Sequence, residues 1–375
     1  MINFNETYSS SNLEKYLRDL VKTNNFNSNH YRDRCYEYLY NNFKYNYCLL
    51  THSATAALEI SAMVLRNRSE FFDSTVFMPS YTFSSTANAF LRSSFDIKFL
   101  DIDPENMMVE MQKVDFKKND IFVPVHYAGS YFDLDKFLEI NNIDLTVVED
   151  AAQAFGVSYK NSPAGSRGRM SCFSFHPTKN VHSGFGGLLV FKEEEDFEYA
   201  KYVYERGTDR SEVISGQKKK YEWVTLGSSF EMTELSSAVL LSQLDDFEKI
   251  HNIKKNIYSA YSQNLSHLVS AGYIKIQSIP EYIDSNYHSF YIILNENNEE
   301  LIKYLYENGV KAYIGYIPLH DSIFGKKQNY DLKLKNTEFY HDKLVRLPSH
   351  PNLTEDDIQK ICNLIEDFVK NLSKY

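Results

Sequence analysis

The stretch VVEDAAQAFG (residues 147–156), followed by FSFHPTKN (173–180) and GFGG (184–187), decides how this chain reads. In the first segment an apolar run ends in the acidic pair Glu149 and Asp150. A second apolar run then ends in Ser-Phe-His-Pro-Thr-Lys. Short β-branched or aromatic runs of this kind read as strands buried on both faces. In an open α/β sheet, ligands sit at the carboxyl ends of the strands. Asp150 and Lys179 are therefore predicted to project into one crevice from neighbouring strand ends.

Working outward, further apolar runs occur at 47–50, 75–78, 97–100, 121–125, 145–148, 172–175 and 187–191. They alternate with amphipathic segments, of which 53–66 is the clearest: Ala56, Leu58, Ile60, Ala62, Met63 and Leu65 give it a broad apolar face. Strand–helix alternation predicts an α/β sandwich with a mostly parallel sheet. After about residue 232 the pattern changes. One long helix is expected over 234–257, a strand at 289–294, a helix at 299–308 and a strand at 311–317. A last amphipathic helix carries Ile358, Ile361, Ile365 and Phe368 at three- and four-residue steps, after Thr354 and three acidic residues suited to a helix start. The expected division is a large domain over 1–245 and a smaller α+β domain over 246–375, with the N-terminal segment free to pack on the smaller one.

Composition narrows the function. The 375 residues are 43% hydrophobic and 24% charged, which excludes global disorder. A formal net charge of -10 argues against a duplex nucleic-acid binder but leaves anionic small substrates open. Cys35, Cys48, Cys172 and Cys362 form no CxxC or metal-type pair, so reduced, mostly buried thiols and no metal site are expected. The N-terminus has no apolar signal core, and no run approaches the roughly 20 apolar residues of a membrane span. No membrane partner and a cytoplasmic location are the expectations.

One lysine and one carboxylate at adjacent strand ends suit pyridoxal 5'-phosphate (PLP). That cofactor needs a lysine to hold it as an imine and an acid to keep its pyridine nitrogen protonated. It also needs hydroxyls and backbone N–H groups for its phosphate, often at a helix N-terminus. Ser53, Ala54 and Thr55 stand at the start of a predicted helix, and Ser174 lies on the lysine strand. Taken singly, an Asp after a strand is also a common helix cap and a Lys a common solvated charge.

The motifs that join these alternatives are LLTHSATAALE (49–59), MPSYTFSSTANA (78–89), VPVHYAG (123–129), VVEDAAQAFG, CFSFHPTKN, GSSFEMTEL (227–235) and YIPLH (316–320). In this order they resemble the DegT/DnrJ family of sugar aminotransferases, within the fold-type-I PLP enzymes. The resemblance implies that Lys179 carries the cofactor, Asp150 faces its ring nitrogen, Gln153 its phenolic oxygen and Phe83 its ring face. Ala54, Thr55 and Ser174 would hold the phosphate. It also implies a homodimer with shared active sites, in which Ser229 stands where the family commonly has an asparagine reaching the partner's phosphate. The family's usual Gly-Glu-Gly-Gly reads Gly-Phe-Gly-Gly at 184–187, and Glu231 replaces a frequent arginine.

The implied reaction moves an amino group from L-glutamate to a nucleotide-linked keto-sugar. The phrase PSYTFSSTANAF, the loop from Arg206 to Arg210 and the SIP segment at 278–280 resemble members that turn dTDP-4-keto-6-deoxyglucose into dTDP-4-amino-4,6-dideoxygalactose for surface polysaccharide. Arg206, Arg210 and the basic run at 218–220 are candidates for the diphosphate, although such a run is as readily a solvated face. His320 and Tyr316 are candidate sugar contacts, each with an ordinary structural role as its alternative. His176 reads as local support for Lys179. Alternatives are a 3-keto-sugar or a UDP- or GDP-linked substrate, a PLP-dependent sugar dehydratase, and a non-catalytic PLP-binding regulator. Relatives of the dehydratase kind replace the motif lysine with histidine, and Lys179 is present here.

Overall fold

Seven strands form the main sheet of the computed structural model, which describes residues 1–328, 330 and 332–372. They are β1 (Tyr47–Thr51), β2 (Thr75–Pro79), β3 (Asp96–Leu100), β4 (Ile121–Phe122), β5 (Thr146–Asp150), β6 (Met170–Ser174) and β7 (Gly187–Phe191). Their spatial order is β1-β7-β6-β5-β4-β2-β3. The pairs β2–β3, β2–β4, β4–β5 and β5–β6 are parallel, whereas β7 runs antiparallel to both β1 and β6. Alternate side chains enter opposite cores. Leu189 and Phe191 pack with the helices Ala54–Arg66 and Glu194–Tyr204, while Leu188 and Val190 pack toward His30–Phe43 and Glu234–Asp245. This two-sided burial explains why the strands read as continuous apolar runs. The result is a three-layer α/β sandwich of fold type I, with one reversed strand.

A second sheet, β8 (Ile274–Ile276), β9 (Phe290–Leu294) and β10 (Leu344–Leu347), is antiparallel in the order β8-β9-β10. It shares a core with the helices Phe247–Ser270, Asn298–Glu307 and Glu355–Leu372. The chain's start joins this unit: Ile2 bridges Val310, and the Ile2 N–H donates to the Gly309 carbonyl at 2.7 Å.

Three expected elements differ. The single helix at 234–257 is two, Glu234–Asp245 and Phe247–Ser270, broken at Asp246. The carboxylates at the break are taken by the N-terminal segment: Tyr16 donates to Asp245 at 2.6 Å and Tyr8 to Asp246 at 3.2 Å. The strand at 121–125 ends at Phe122, because Pro124 has no N–H for the ladder, although its carbonyl accepts from the Asp150 N–H at 2.9 Å. The strand at 311–317 is reduced to one bridge, Tyr313 with Arg346. There the chain leaves the sheet at Gly315, where a side-chain carbon would fall 1.5 Å from the Tyr81 hydroxyl. That departure carries Tyr316 into the site described next.

Candidate active site

At the carboxyl ends of β5 and β6 the chain encloses a cavity of about 520 Å³, within the size range of small-molecule and cofactor sites. Eight of the residues singled out from sequence line it: Ala54, Thr55, Phe83, Asp150, Gln153, Ser174, Lys179 and Tyr316. His176 is also in the wall.

Asp150 ends β5 and is buried. Its Oδ2 accepts from the Thr86 hydroxyl at 2.6 Å and its Oδ1 from the Ala152 N–H at 3.2 Å. Burial nevertheless raises its pKa above the ordinary carboxylate value, more than these bonds and the Lys179 charge lower it. Lys179 lies in the turn after β6, its N–H bonded to the His176 carbonyl at 2.8 Å. Its amine has no hydrogen-bond or ion-pair partner among the described residues. Burial brings that amine down from 10.5 to about 8, against the pull of Asp150 and with a further push from Arg346. A buried acid and a buried amine, both left short of partners and facing one cavity, are the groups a charged ring would satisfy.

At the other end of the cavity the helix Ala54–Arg66 begins. Ser53 caps it, its hydroxyl accepting from the Ala56 N–H at 3.1 Å. Gly187 lets β7 approach this turn, since a side-chain carbon there would lie 2.4 Å from the Ser53 carbonyl carbon. The exposed N–H groups and the Thr55–Ser85 hydroxyl pair, 2.7 Å apart, make an anion cradle. Between the two ends Phe83 is 60% exposed, an apolar ring that a stacked cofactor would cover. Gln153 is fixed from both sides, accepting from the Ala128 N–H and donating to the Tyr316 hydroxyl, each at 2.7 Å. These residues fit PLP: Lys179 to hold it, Asp150 at the ring nitrogen and the helix start at the phosphate.

The other four candidates lie outside the cavity wall. Arg206 pairs with Glu231 at 2.9 Å and donates to the Ser229 hydroxyl at 3.0 Å. Arg210 opens the short helix Arg210–Ile214. His320 is buried against Ser80, whose hydroxyl accepts from the His320 backbone N–H at 3.1 Å and pairs with its Nδ1 at 2.6 Å.

Some contributors escaped the sequence reading. Ser85 and Thr86 stand at the start of the helix Ser84–Arg92, inside a motif already quoted. Arg346 enters from β10 as a charge within an apolar run. Glu149, adjacent to Asp150, faces the other way. Its carboxylate accepts from His126 at 2.8 Å, the Tyr131 hydroxyl at 2.7 Å, the Gly168 N–H at 2.6 Å and the Ser171 hydroxyl at 3.0 Å. Burial alone would raise its pKa, but these donors hold it below the usual value. Glu149→Ala is expected to cost about 3 to 5 kcal/mol, because it strands several buried donors at once. A thermal melt checks this, and an unchanged midpoint would show that the donors find other partners.

Fold and site together define a fold-type-I PLP enzyme of the transaminase class. The sequence matches the model of the DegT/DnrJ/EryC1/StrS aminotransferase family over residues 8–366, and the chain belongs to that family. Among curated relatives, it is 27% identical over 340 residues to the uncharacterized protein MJ1066 of Methanocaldococcus jannaschii, covering 86% of each chain. It is 26% identical to a pleiotropic regulatory protein of Geobacillus stearothermophilus, covering 80% of this chain and 79% of the relative. Among solved structures, a Streptococcus pneumoniae protein assigned as a sugar aminotransferase, Spr1654, superposes in its pyridoxamine phosphate form with a TM-score of 0.88. The identity is 20%, and all of both chains is covered. No described helix is long and apolar enough to cross a membrane.

Proposed function

We propose that this protein transfers an amino group from L-glutamate to a nucleotide-linked keto-sugar. The preferred substrate is dTDP-4-keto-6-deoxyglucose, giving dTDP-4-amino-4,6-dideoxygalactose for surface polysaccharide. The observation that carries the reading is the convergence of Lys179 and Asp150 on one cavity whose far end is a capped helix start. Assignment of Spr1654 as a sugar aminotransferase supports the sugar as acceptor.

When bound, PLP supplies an electrophilic carbon and a ring that accepts electrons from the substrate carbon. The chain's residues do the rest. Asp150 keeps a proton on the ring nitrogen. Gln153, steadied by Tyr316, donates toward the phenolic oxygen. Phe83 covers one ring face, while Ala54, Thr55 and Ser174 anchor the phosphate. Freed by the incoming amine, the Lys179 amine would move the proton from the substrate's amine-bearing carbon to the cofactor's carbon, and in the second half it would move a proton the opposite way, onto the sugar carbon. The presence of Lys179 favours turnover over a purely regulatory role, and transamination over dehydration.

A homodimer belongs to this reading. Ile214, Tyr221, Trp223 and Leu226 are exposed on the segment that also holds Arg206, Arg210 and Ser229. Such an apolar patch suits a subunit contact, which would deliver those polar side chains to the partner's site.

The test is a panel of nucleotide keto-sugars with glutamate as donor, products read by NMR. The dTDP-linked 4-keto sugar is expected to exceed 3-keto and UDP- or GDP-linked analogues by at least about tenfold in kcat/KM. A preferred 3-keto sugar would replace the substrate named here.

A further inference from the structure

We infer that Phe185 is the ring on which the nucleobase of the acceptor stacks. Where the family usually has Gly-Glu-Gly-Gly, this chain has Gly184, Phe185, Gly186 and Gly187, and the proposed chemistry gives that phenyl ring no role. Two large apolar side chains in the cavity wall are exposed among the described residues, Phe83 and Phe185. A stacked cofactor covers the first. The second is 65% exposed. One exposed apolar ring is ordinary on a protein surface, but the setting of Phe185 is not. Its loop is closed at the base: the Phe175 N–H donates to the Gly186 carbonyl at 2.8 Å, and the Ser183 N–H to the Phe175 carbonyl at 2.9 Å. Gly186 packs too tightly for any side chain, since a side-chain carbon there would lie 2.0 Å from the Ser183 Oγ. The His176 ring meets the Phe185 ring at 88°, with centres 5.0 Å apart. Such an edge-to-face pair uses at most one face of Phe185, so another stays open. The ring is held before any ligand arrives, and a stack on it has little to order.

The length of the substrate selects what stacks there. The closed loop that bears Phe185 also bears Lys179, so the reacting amine and the open ring belong to one unit. In a nucleotide-linked sugar the keto carbon and the base are separated by the hexose, two phosphates and a pentose. A cavity of about 520 Å³ that also holds the cofactor encloses the reacting end and leaves the base at the mouth. Asp150 is the one acid among the described lining residues, so no other carboxylate in the wall repels a diphosphate passing Phe185. Other rings in the wall are engaged: Phe4 stands edge-on to Tyr313 with centres 4.9 Å apart, and the Tyr316 hydroxyl is bonded to Gln153. Stacking supplies affinity and tolerates any base, so the choice between dTDP and UDP is made by other contacts.

This inference rests on the proposed nucleotide-linked acceptor, and binding of the nucleotide alone separates the two. dTDP, which carries base and diphosphate but no keto-sugar, is titrated calorimetrically into holoenzyme. Phe185→Ala is expected to weaken dTDP about 20-fold, and Phe185→Leu, which keeps apolar bulk without an aromatic face, at least about fivefold. Phe185→Tyr should stay within about threefold of wild type. UDP should lose affinity in parallel. In half-reactions followed by the cofactor's absorbance, the loss in the keto-sugar half should exceed that in the glutamate half by at least about fivefold, because glutamate has no base to stack. Sedimentation should give the same assembly for wild type and variants. Unchanged dTDP affinity in Phe185→Ala, or wild-type affinity in Phe185→Leu, overturns the assignment while the proposed acceptor stands. An equal loss in both halves, or a loss that accompanies a change of assembly, also overturns it and makes Phe185 a structural or subunit contact. Wild-type holoenzyme that binds none of dTDP, UDP and GDP overturns the nucleotide-linked acceptor and this assignment together.

Discussion

Lys179→Ala is expected to lose the absorbance of the lysine-bound cofactor and to transaminate at least about 10⁴-fold more slowly, since on the proposed reading one side chain both bonds to the cofactor and moves the proton. No other lysine lines the cavity among the described residues. His176 is no substitute, because its Nδ1 already accepts from the Thr178 N–H at 3.2 Å, which leaves the ring's proton on Nε2. The measurement is turnover of glutamate with the keto-sugar, beside the visible absorbance of the loaded protein. A variant at the wild-type rate would assign the chemistry to another group. The wild-type amine also makes a pH prediction. Burial brings it to about 8, and only the unprotonated amine attacks. Capture of PLP by the apoprotein should therefore accelerate as pH rises through about 8 and level off above it. A rise centred near the ordinary lysine value of 10.5 would mean that the amine is not desolvated.

Asp150 and Lys179 were legible because each follows a short apolar run, and strand ends are where such a sheet opens. Glu149 was legible only as half of an acidic pair. Successive strand residues face opposite sides, so one acid enters the cavity and its neighbour locks onto His126 and Tyr131 beneath it. Reversal of β7 left no mark, because apolar periodicity does not record strand direction. Thr86 was hidden for another reason. A hydroxyl in the first turn of a helix looks like capping chemistry, and only the fold brings it to Asp150. Arg346 was the readable signal that went unread: a lone charge inside LVRLP must find a polar surface. Arg206 was read as a candidate for the substrate's diphosphate and Ser229 as a contact to the partner's cofactor phosphate, and within one chain the two bond to each other.

Asp150→Asn should separate the cost of the site from its use. Activity is expected to fall by about 10² to 10³-fold, because an amide cannot hold a proton on the ring nitrogen by charge. Stability should move the opposite way. Asparagine can still accept from the Ala152 N–H, and its amide can donate to the Thr86 hydroxyl, which has Thr82 2.9 Å away as a further partner. What disappears is the burial of a charge. The folded-state pKa of Asp150 lies above the ordinary value of 3.8. The native state therefore binds the proton more tightly than the unfolded chain, and wild-type stability declines as pH rises out of the acid range until the folded carboxyl has ionised. Above the range in which the folded carboxyl ionises, that penalty is present. The variant lacks it, so the cofactor-free Asp150→Asn protein should be more stable than wild type at neutral pH. The two should converge on acidification. Melts of cofactor-free protein at neutral and acidic pH decide the matter. A variant less stable than wild type at neutral pH would mean that the carboxylate's bonds outweigh its burial, and that the site is held together without the cofactor's charge.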